Sequence, residues 1–231
     1  MGKSIEKVFT VAVPVERAWS AFADGAERSK WEATVYEIDA RPGGAVHWEL
    51  PGIESYGRVE EVETNRVLRH TELDGPHAKA EITVRFEDLG TSTRVTITHA
   101  GFGDGDGWDE WLEGTSLGWT QAIADLIVYL ETGVATHRFT AGMSSPGMSM
   151  TDIPGGVRVL DVQPVGLAAD AGLQRDDLLV RIDGTPIFTI SDLWVLMHQR
   201  SPGERCTVEY VRDGRMASGS GAVTSWDVMA A

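Results

Sequence analysis

The sequence predicts an α+β protein, in which an antiparallel sheet wraps around one long helix and a small strand-rich domain with short helices follows. Three observations carry this reading. From Ala78 to Phe86 apolar and polar residues alternate with a period of two, the pattern of a strand with one dry face. Trp111, Leu112, Thr115, Trp119, Ala122, Ile123, Leu126, Ile127 and Leu130 then recur at helical spacing over about five turns, enough to cover such a face. After Gly133 the run HRFTAGMSSPGM is crowded with small and turn residues, and six of the eight tryptophans precede it. A length of 231 residues agrees with two domains.

Ile5 to Val13 reads as the first strand, and Pro14 takes the favoured first position of a helix that runs to Gly25. A short helix at Ala26 to Trp31 follows. Strand-like segments come next: Val35 to Asp39, Ala45 to Leu50, Tyr56 to Glu63, Val67 to Leu73, His77 to Glu87 and Ser92 to His99. Short turn-like joints separate most of them, which makes an antiparallel meander. The long helix ends at Gly133. Residues 1–135 are expected to form the first domain, 136–146 a linker and 147–231 the second, where one helix, Ser191 to Gln199, is capped by Ser191 and stopped by Pro202-Gly203.

The net charge of −15 divides as 13 basic against 24 acidic residues up to Thr140 and 7 against 11 beyond it. Neither part carries the clustered Lys and Arg that a phosphate backbone or an anionic membrane requires, so neither nucleic acid nor membrane is an expected partner. The start, MGKSIEKVFT, lacks an apolar run of signal-peptide length, and no 18 consecutive apolar residues occur, so a cytoplasmic location is expected. The lone Cys206 excludes an intrachain disulfide and reads as a small buried side chain.

A sheet closed around one helix leaves a space whose size depends on side-chain bulk. On the fifth strand Leu68 marks the buried face and brings His70 and Glu72 inward; on the seventh, Val95 and Ile97 bring His99 inward. Trp48, Tyr56, Trp119 and Ile123 complete the expected lining, which suits a small hydrophobic molecule. No cofactor or metal site is expected. The acidic run Asp104, Asp106, Asp109 and Glu110 fails the EF-hand pattern, because Asp109 stands where the turn requires Gly, and it suits a helix start instead.

The element order resembles the helix-grip fold, and four stretches are similar to the activator-of-Hsp90-ATPase-like branch of the START/Bet v 1 (SRPBCC) superfamily: EIDARPGGAVHWE (Glu37 to Glu49), GRVEEVETNRVLRHT (Gly57 to Thr71), TRVTITHAGF (Thr93 to Phe102) and GWTQAIADLIVYLETG (Gly118 to Gly133). The resemblance implies that fold. For function it spans lipid carriers, receptors and cyclases, and at His99 it implies a position often filled by a backbone-bonded histidine.

The stretches AADAGLQRDDLLVRIDG (Ala168 to Gly184) and SDLWVLMHQRSPGERCTVEYVRDG (Ser191 to Gly214) resemble a PDZ domain of the bacterial type. The resemblance implies that a peptide adds as a strand beside the second strand, its terminal carboxylate held by backbone amides of the loop Pro146-Gly147-Met148-Ser149-Met150. Gly147 would permit the turn, Met148 and Met150 would either face the ligand or pack in the core, and Asp192, Leu193 and Leu196 would form the helical wall. Asp192 falls where that family reads the third-from-last ligand side chain.

The expected function is therefore a binding or adaptor protein for a small apolar ligand and a peptide or protein C-terminus. The chain's own end, Val228-Met229-Ala230-Ala231, is a candidate ligand for a second copy, giving a homo-oligomer. Two alternatives remain: a cyclase- or hydrolase-like enzyme using His70, His99 or Tyr56, and a chaperone-associated regulator.

Overall fold

The computed structural model describes residues 2–50, 53–74, 79–103, 106–140 and 144–225. His77 and Ala78 of the expected sixth strand, Asp104, and the chain end from Trp226 lie outside the described residues. Two compact units emerge, residues 1–103 with 116–140, and residues 104–115 with 141–231.

The first unit opens with β1 (Lys3–Val11), α1 (Val15–Ala23) and α2 (Gly25–Arg28). Pro14 stands one residue ahead of α1, and its carbonyl accepts from the Arg17 and Ala18 amides. Asp24 caps α2, its Oδ1 accepting from Ala26 N at 2.8 Å and Glu27 N at 3.2 Å. β2 (Val35–Ile38), β3 (Ala45–Leu50), β4 (Ile53–Glu63), β5 (Val67–Glu72), β6 (Glu81–Asp88) and β7 (Thr93–Phe102) follow, then α3 (Asp106–Thr132). The sheet order is β1-β7-β6-β5-β4-β3-β2, every pair antiparallel, so the expected meander holds and β1 closes its far end.

Directly paired residues share a face, so the register lays out the inner surface row by row. One row runs Val59, His70, Ile82, His99, Ile5, and the next Val46, Gly57, Glu72. Phe22 meets Trp31 and Phe86 edge to face at centroid distances of 4.9 and 5.4 Å, joining α1 to the sheet. From α3, Trp119, Ala122, Ile123, Leu126 and Leu130 are buried, whereas Trp111, Leu112 and Thr115 are only half-buried. The apolar stripe thus covers the sheet from about its middle turns onward, because the residues up to Thr115 group with the second unit. At the other end, buried Asp125 accepts from Thr136 Oγ1 (2.6 Å), Arg138 Nε (2.6 Å) and Phe139 N (2.9 Å), tying the first residues of the expected linker to α3.

The second unit contains β8 (Ser144–Ser145), β9 (Met148–Ile153), β10 (Gly156–Val162), α4 (Leu167–Asp170), β11 (Leu178–Ile182), β12 (Thr185–Pro186), α5 (Ile190–Met197), β13 (Arg205–Arg212), β14 (Arg215–Ala222) and β15 (Thr224–Ser225). Its sheet runs β14-β13-β11-β10-β9, with β12 beside β11 and a separate β8–β15 pair. The cap of α5 is Thr189, not Ser191. Thr189 Oγ1 accepts from Asp192 N at 3.2 Å and Asp192 Oδ2 accepts from Thr189 N at 3.0 Å, a reciprocal box that satisfies two end amides.

Candidate functional site

The inner face of the first unit gathers polar side chains in an otherwise apolar interior. Arg28, at the end of α2, is fully buried and grips Glu32 through Nε and, at 3.0 Å, Nη2. Its guanidinium carbon lies 4.1 Å from the centroid of Tyr36 on β2, a cation–π contact. Burial works against that charge, but the paired Glu32 carboxylate outweighs it and holds the arginine protonated. Tyr36 is itself buried, and burial pushes its hydroxyl up, away from ionisation.

His70 and Glu72 enter from β5, where alternation turns both inward with Leu68. Gly57 stands directly across from Glu72, and the strands pack so closely there that a Cβ would meet Thr71 O at 2.8 Å. Trp48, in the adjoining row, donates to Glu72. Burial nevertheless pushes the Glu72 carboxyl up to about 8, with Glu32 and Asp74 adding to the rise against Trp48 and Arg28. Burial, with Arg28 and His99 nearby, drops His70 well below its usual value, so its ring is neutral at pH 7. Trp119 Nε1 donates to His99 Nδ1 at 3.1 Å, which leaves the proton of a neutral His99 on Nε2.

Among the described residues, five buried polar atoms of this group take no hydrogen-bond partner: Arg28 Nη1, Tyr36 Oη, both ring nitrogens of His70, and Glu72 Oε2. Each such atom costs about 1–3 kcal/mol when left unpaired, so their concentration on four side chains is a feature that apolar packing does not require.

Of the expected lining, His70, His99, Trp119 and Ile123 are buried and Trp48 is half-buried on the same inner face. Tyr56 does not join them. Ser55, Gly57 and Val59 are the inward residues of β4, so Tyr56 projects outward, is 48% exposed and stacks on His47 at 4.7 Å. The sequence carries that signal, since Tyr56 shares its strand parity with Glu54, Arg58 and Glu60. For Arg28 and Tyr36 the sequence offers only the Arg28–Glu32 spacing of four as a sign. Outside, His47, Glu49 and Glu54 bring three ligand-type atoms within 4.8 Å of one another, an arrangement that exposed carboxylates also adopt with no ion.

In the second unit β9 ends the sheet order, and its outer edge faces no other strand among the described residues, while α5 packs beside it. Gly147 precedes β9 with φ +74°, and a Cβ there would meet Val165 O at 2.6 Å, so the turn demands glycine. Its amide donates to Ser145 Oγ at 3.1 Å. Met148 and Met150 are buried, in keeping with core packing, while Ser149 is half-buried. On α5, Leu193 and Leu196 are buried; exposed Asp192 is engaged by the Phe188 and Thr189 amides. At the far end of β9, Asp152 Oδ1 accepts from Ile190 N at 2.8 Å, and Glu113 accepts from Ser191 Oγ at 3.0 Å. Burial beside Asp152 pushes the Glu113 carboxyl up to about 7.

Residues 12–131, just over half of the chain, match the model of the family described as activator of Hsp90 ATPase homolog 1-like protein. The chain belongs to that family. Residues 145–220 match the PDZ domain. Among solved structures, this activator-like chain is similar to the Aha1 dimer of Colwellia psychrerythraea, with a TM-score of 0.51 and 16% identity over 57% of this chain and 98% of that one. A crystal structure of a protein from Mesorhizobium loti gives a TM-score of 0.51 and 19% identity over 55% of this chain and 96% of that one. At these identities both likenesses establish the fold alone. A probable periplasmic serine endoprotease DegP-like protein of Pseudomonas fulva (strain 12-X) is 39% identical over 61 residues, 26% of this chain. The activator-like chain spans only 13% of that relative's length. No helix among the described residues is long and apolar enough to cross a membrane.

Proposed function

We propose that this protein is a binding protein: the first unit holds a small, mostly apolar molecule between sheet and helix, and the second takes the free carboxyl end of a peptide along β9. The observation that carries the first half is the set of five unpartnered polar atoms on buried Arg28, Tyr36, His70 and Glu72. An interior meant only for packing would fill these positions with apolar side chains. The second half is supported by the open edge of β9 beside α5, with a glycine-dependent turn at its start.

Binding is favoured over catalysis by the geometry of the histidines. Among the described residues His70 forms no hydrogen bond to His99 or to Glu72, and Tyr56 lies outside, so the two groups an acid–base mechanism would pair with His70 do not bond to it. The test is native mass spectrometry of the full chain purified from its host without denaturation. A bound mass that disappears on denaturation, and is absent from His70→Leu, supports the reading. Recovery of the bare chain, with tryptophan fluorescence that answers to no apolar probe, would reject the first half. For the second half, peptides with free and amidated ends are compared; equal binding would reject carboxylate recognition.

A further inference from the structure

We propose that the outer face of β2, β3 and β4 carries a site for a divalent transition-metal ion of the zinc class, ligated by His47 Nε2 and the carboxylates of Glu49 and Glu54. Spacing along the chain shows no metal motif, and the site comes from strand register. Glu37, His47 and Tyr56 are paired directly across the three strands, and Glu49 pairs with Glu54 in the next row of the same face. Three ligand-type atoms, one each from His47, Glu49 and Glu54, thereby lie within 4.8 Å of one another. This face is the one opposite the interior between sheet and helix, so the proposal stands whether or not that interior holds a molecule.

Distance, orientation and charge each favour an ion here. Around tetrahedral zinc, with ligands at about 2.0–2.2 Å, the ligand atoms stand about 3.3–3.6 Å from one another. His47 Nε2 lies 3.5 Å from Glu49 Oε1 and 3.0 Å from Glu54 Oε1, so small side-chain rotations bring all three onto one ion. The imidazole is set in advance, because it stacks on the Tyr56 ring with centroids 4.7 Å apart and planes 17° from parallel. Glu37 Oε2 lies 3.6 Å from Nδ1, on the side that carries the proton when Nε2 binds metal, as in carboxylate–histidine–metal sites. The Tyr56 hydroxyl donates to Glu54 Oε1 at 2.6 Å and orients that carboxylate. Glu49 and Glu54 face each other directly across adjacent strands, where like charges are destabilising. Among the described residues each pairs with His47 and neither with a Lys or Arg. A dication answers both carboxylates at once. One imidazole nitrogen with two carboxylate oxygens suits zinc and its first-row neighbours better than magnesium or calcium, which take oxygen ligands. Three protein ligands leave the fourth position to water or an added ligand.

The experiment titrates zinc chloride, with magnesium chloride as the oxygen-preferring control, into the chelator-treated full chain at pH 7 by calorimetry. One zinc ion per chain, bound in the micromolar range, is the expected result, with magnesium weaker by at least about a hundredfold. His47→Phe, which keeps a ring on Tyr56, should weaken zinc by at least about tenfold, and so should Glu49→Gln and Glu54→Gln. Both carboxylates reach solvent, so their variants decide the matter even if His47→Phe is unstable. With cobalt(II) in place of zinc, a visible spectrum that changes in the unaltered chain and not in His47→Phe ties the ion to the imidazole. No zinc binding at millimolar concentration would overturn the proposal. So would equal binding by the unaltered chain and all three variants, which makes the ion adventitious and the His47 contacts surface hydrogen bonds. Magnesium binding as tight as zinc would overturn the zinc-class assignment, and loss of zinc in His47→Phe alone would overturn the three-ligand site.

Discussion

Glu72→Gln should abolish a loss of stability that the unaltered chain suffers on the alkaline side of neutrality. In the folded protein the Glu72 carboxyl titrates at about 8, against 4.5 for an unburied glutamate. The folded state therefore binds a proton that the unfolded state has released throughout that interval, and the stability this group contributes is present below the lower value and lost as pH rises through the upper one. One unit corresponds to about 1.4 kcal/mol, so the full interval amounts to roughly 5 kcal/mol, and between pH 6 and 8 about 2 kcal/mol is lost. His70 acts with the opposite sign: its folded value is depressed, so its contribution is lost as pH falls below the ordinary histidine range. Both chains share that effect, and it cancels in their difference. Glutamine keeps the shape and a donor but cannot ionise. Urea unfolding followed by tryptophan fluorescence at half-unit steps from pH 5.5 to 8.5 measures both chains. The two should diverge from each other by about 2 kcal/mol between pH 6 and 8. Parallel profiles would mean that Glu72 is already ionised in the folded state.

Gly147→Val should destabilise the second unit by roughly 2 kcal/mol or more, since a β-branched residue at positive φ is strained and the new Cβ meets a carbonyl, so its thermal midpoint should fall. That substitution therefore cannot by itself report on peptide binding, whereas the free and amidated peptide pair can. Thr189→Ala should cost about 1 kcal/mol through the lost cap of α5, whereas Ser191→Ala should cost less, by chemical denaturation. Asp125→Ala should release the segment around Thr136 to Phe139, and trypsin should then cut after Arg138 several times faster; unchanged cleavage would show that these bonds do not hold the segment.

Alternation and helical spacing are local properties, and they were enough to place most strands, to turn His70, Glu72 and His99 inward, and to find the stripe of α3 that covers the sheet. A side chain on a strand has only two faces to choose from, and one apolar neighbour two residues away decides between them. Tyr56 was misplaced because its ring outweighed the charged company it keeps on β4. Other features depended on distant contacts. Arg28 is buried only because Phe22 of α1, Trp31 of the turn after α2 and Tyr36 of β2 enclose it, and no pattern around a four-residue helix announces that. The choice of Thr189 over Ser191 as the cap turned on where the chain leaves its extended conformation, which the neighbouring hydroxyls do not reveal. The pairing of Glu113 with Ser191 joins residues 78 positions apart. The sequence by itself determined the elements and their buried faces, because those follow from short-range periodicity; which charges are enclosed, and which of them lack partners, was decided by tertiary structure, because burial is a property of everything that surrounds a side chain.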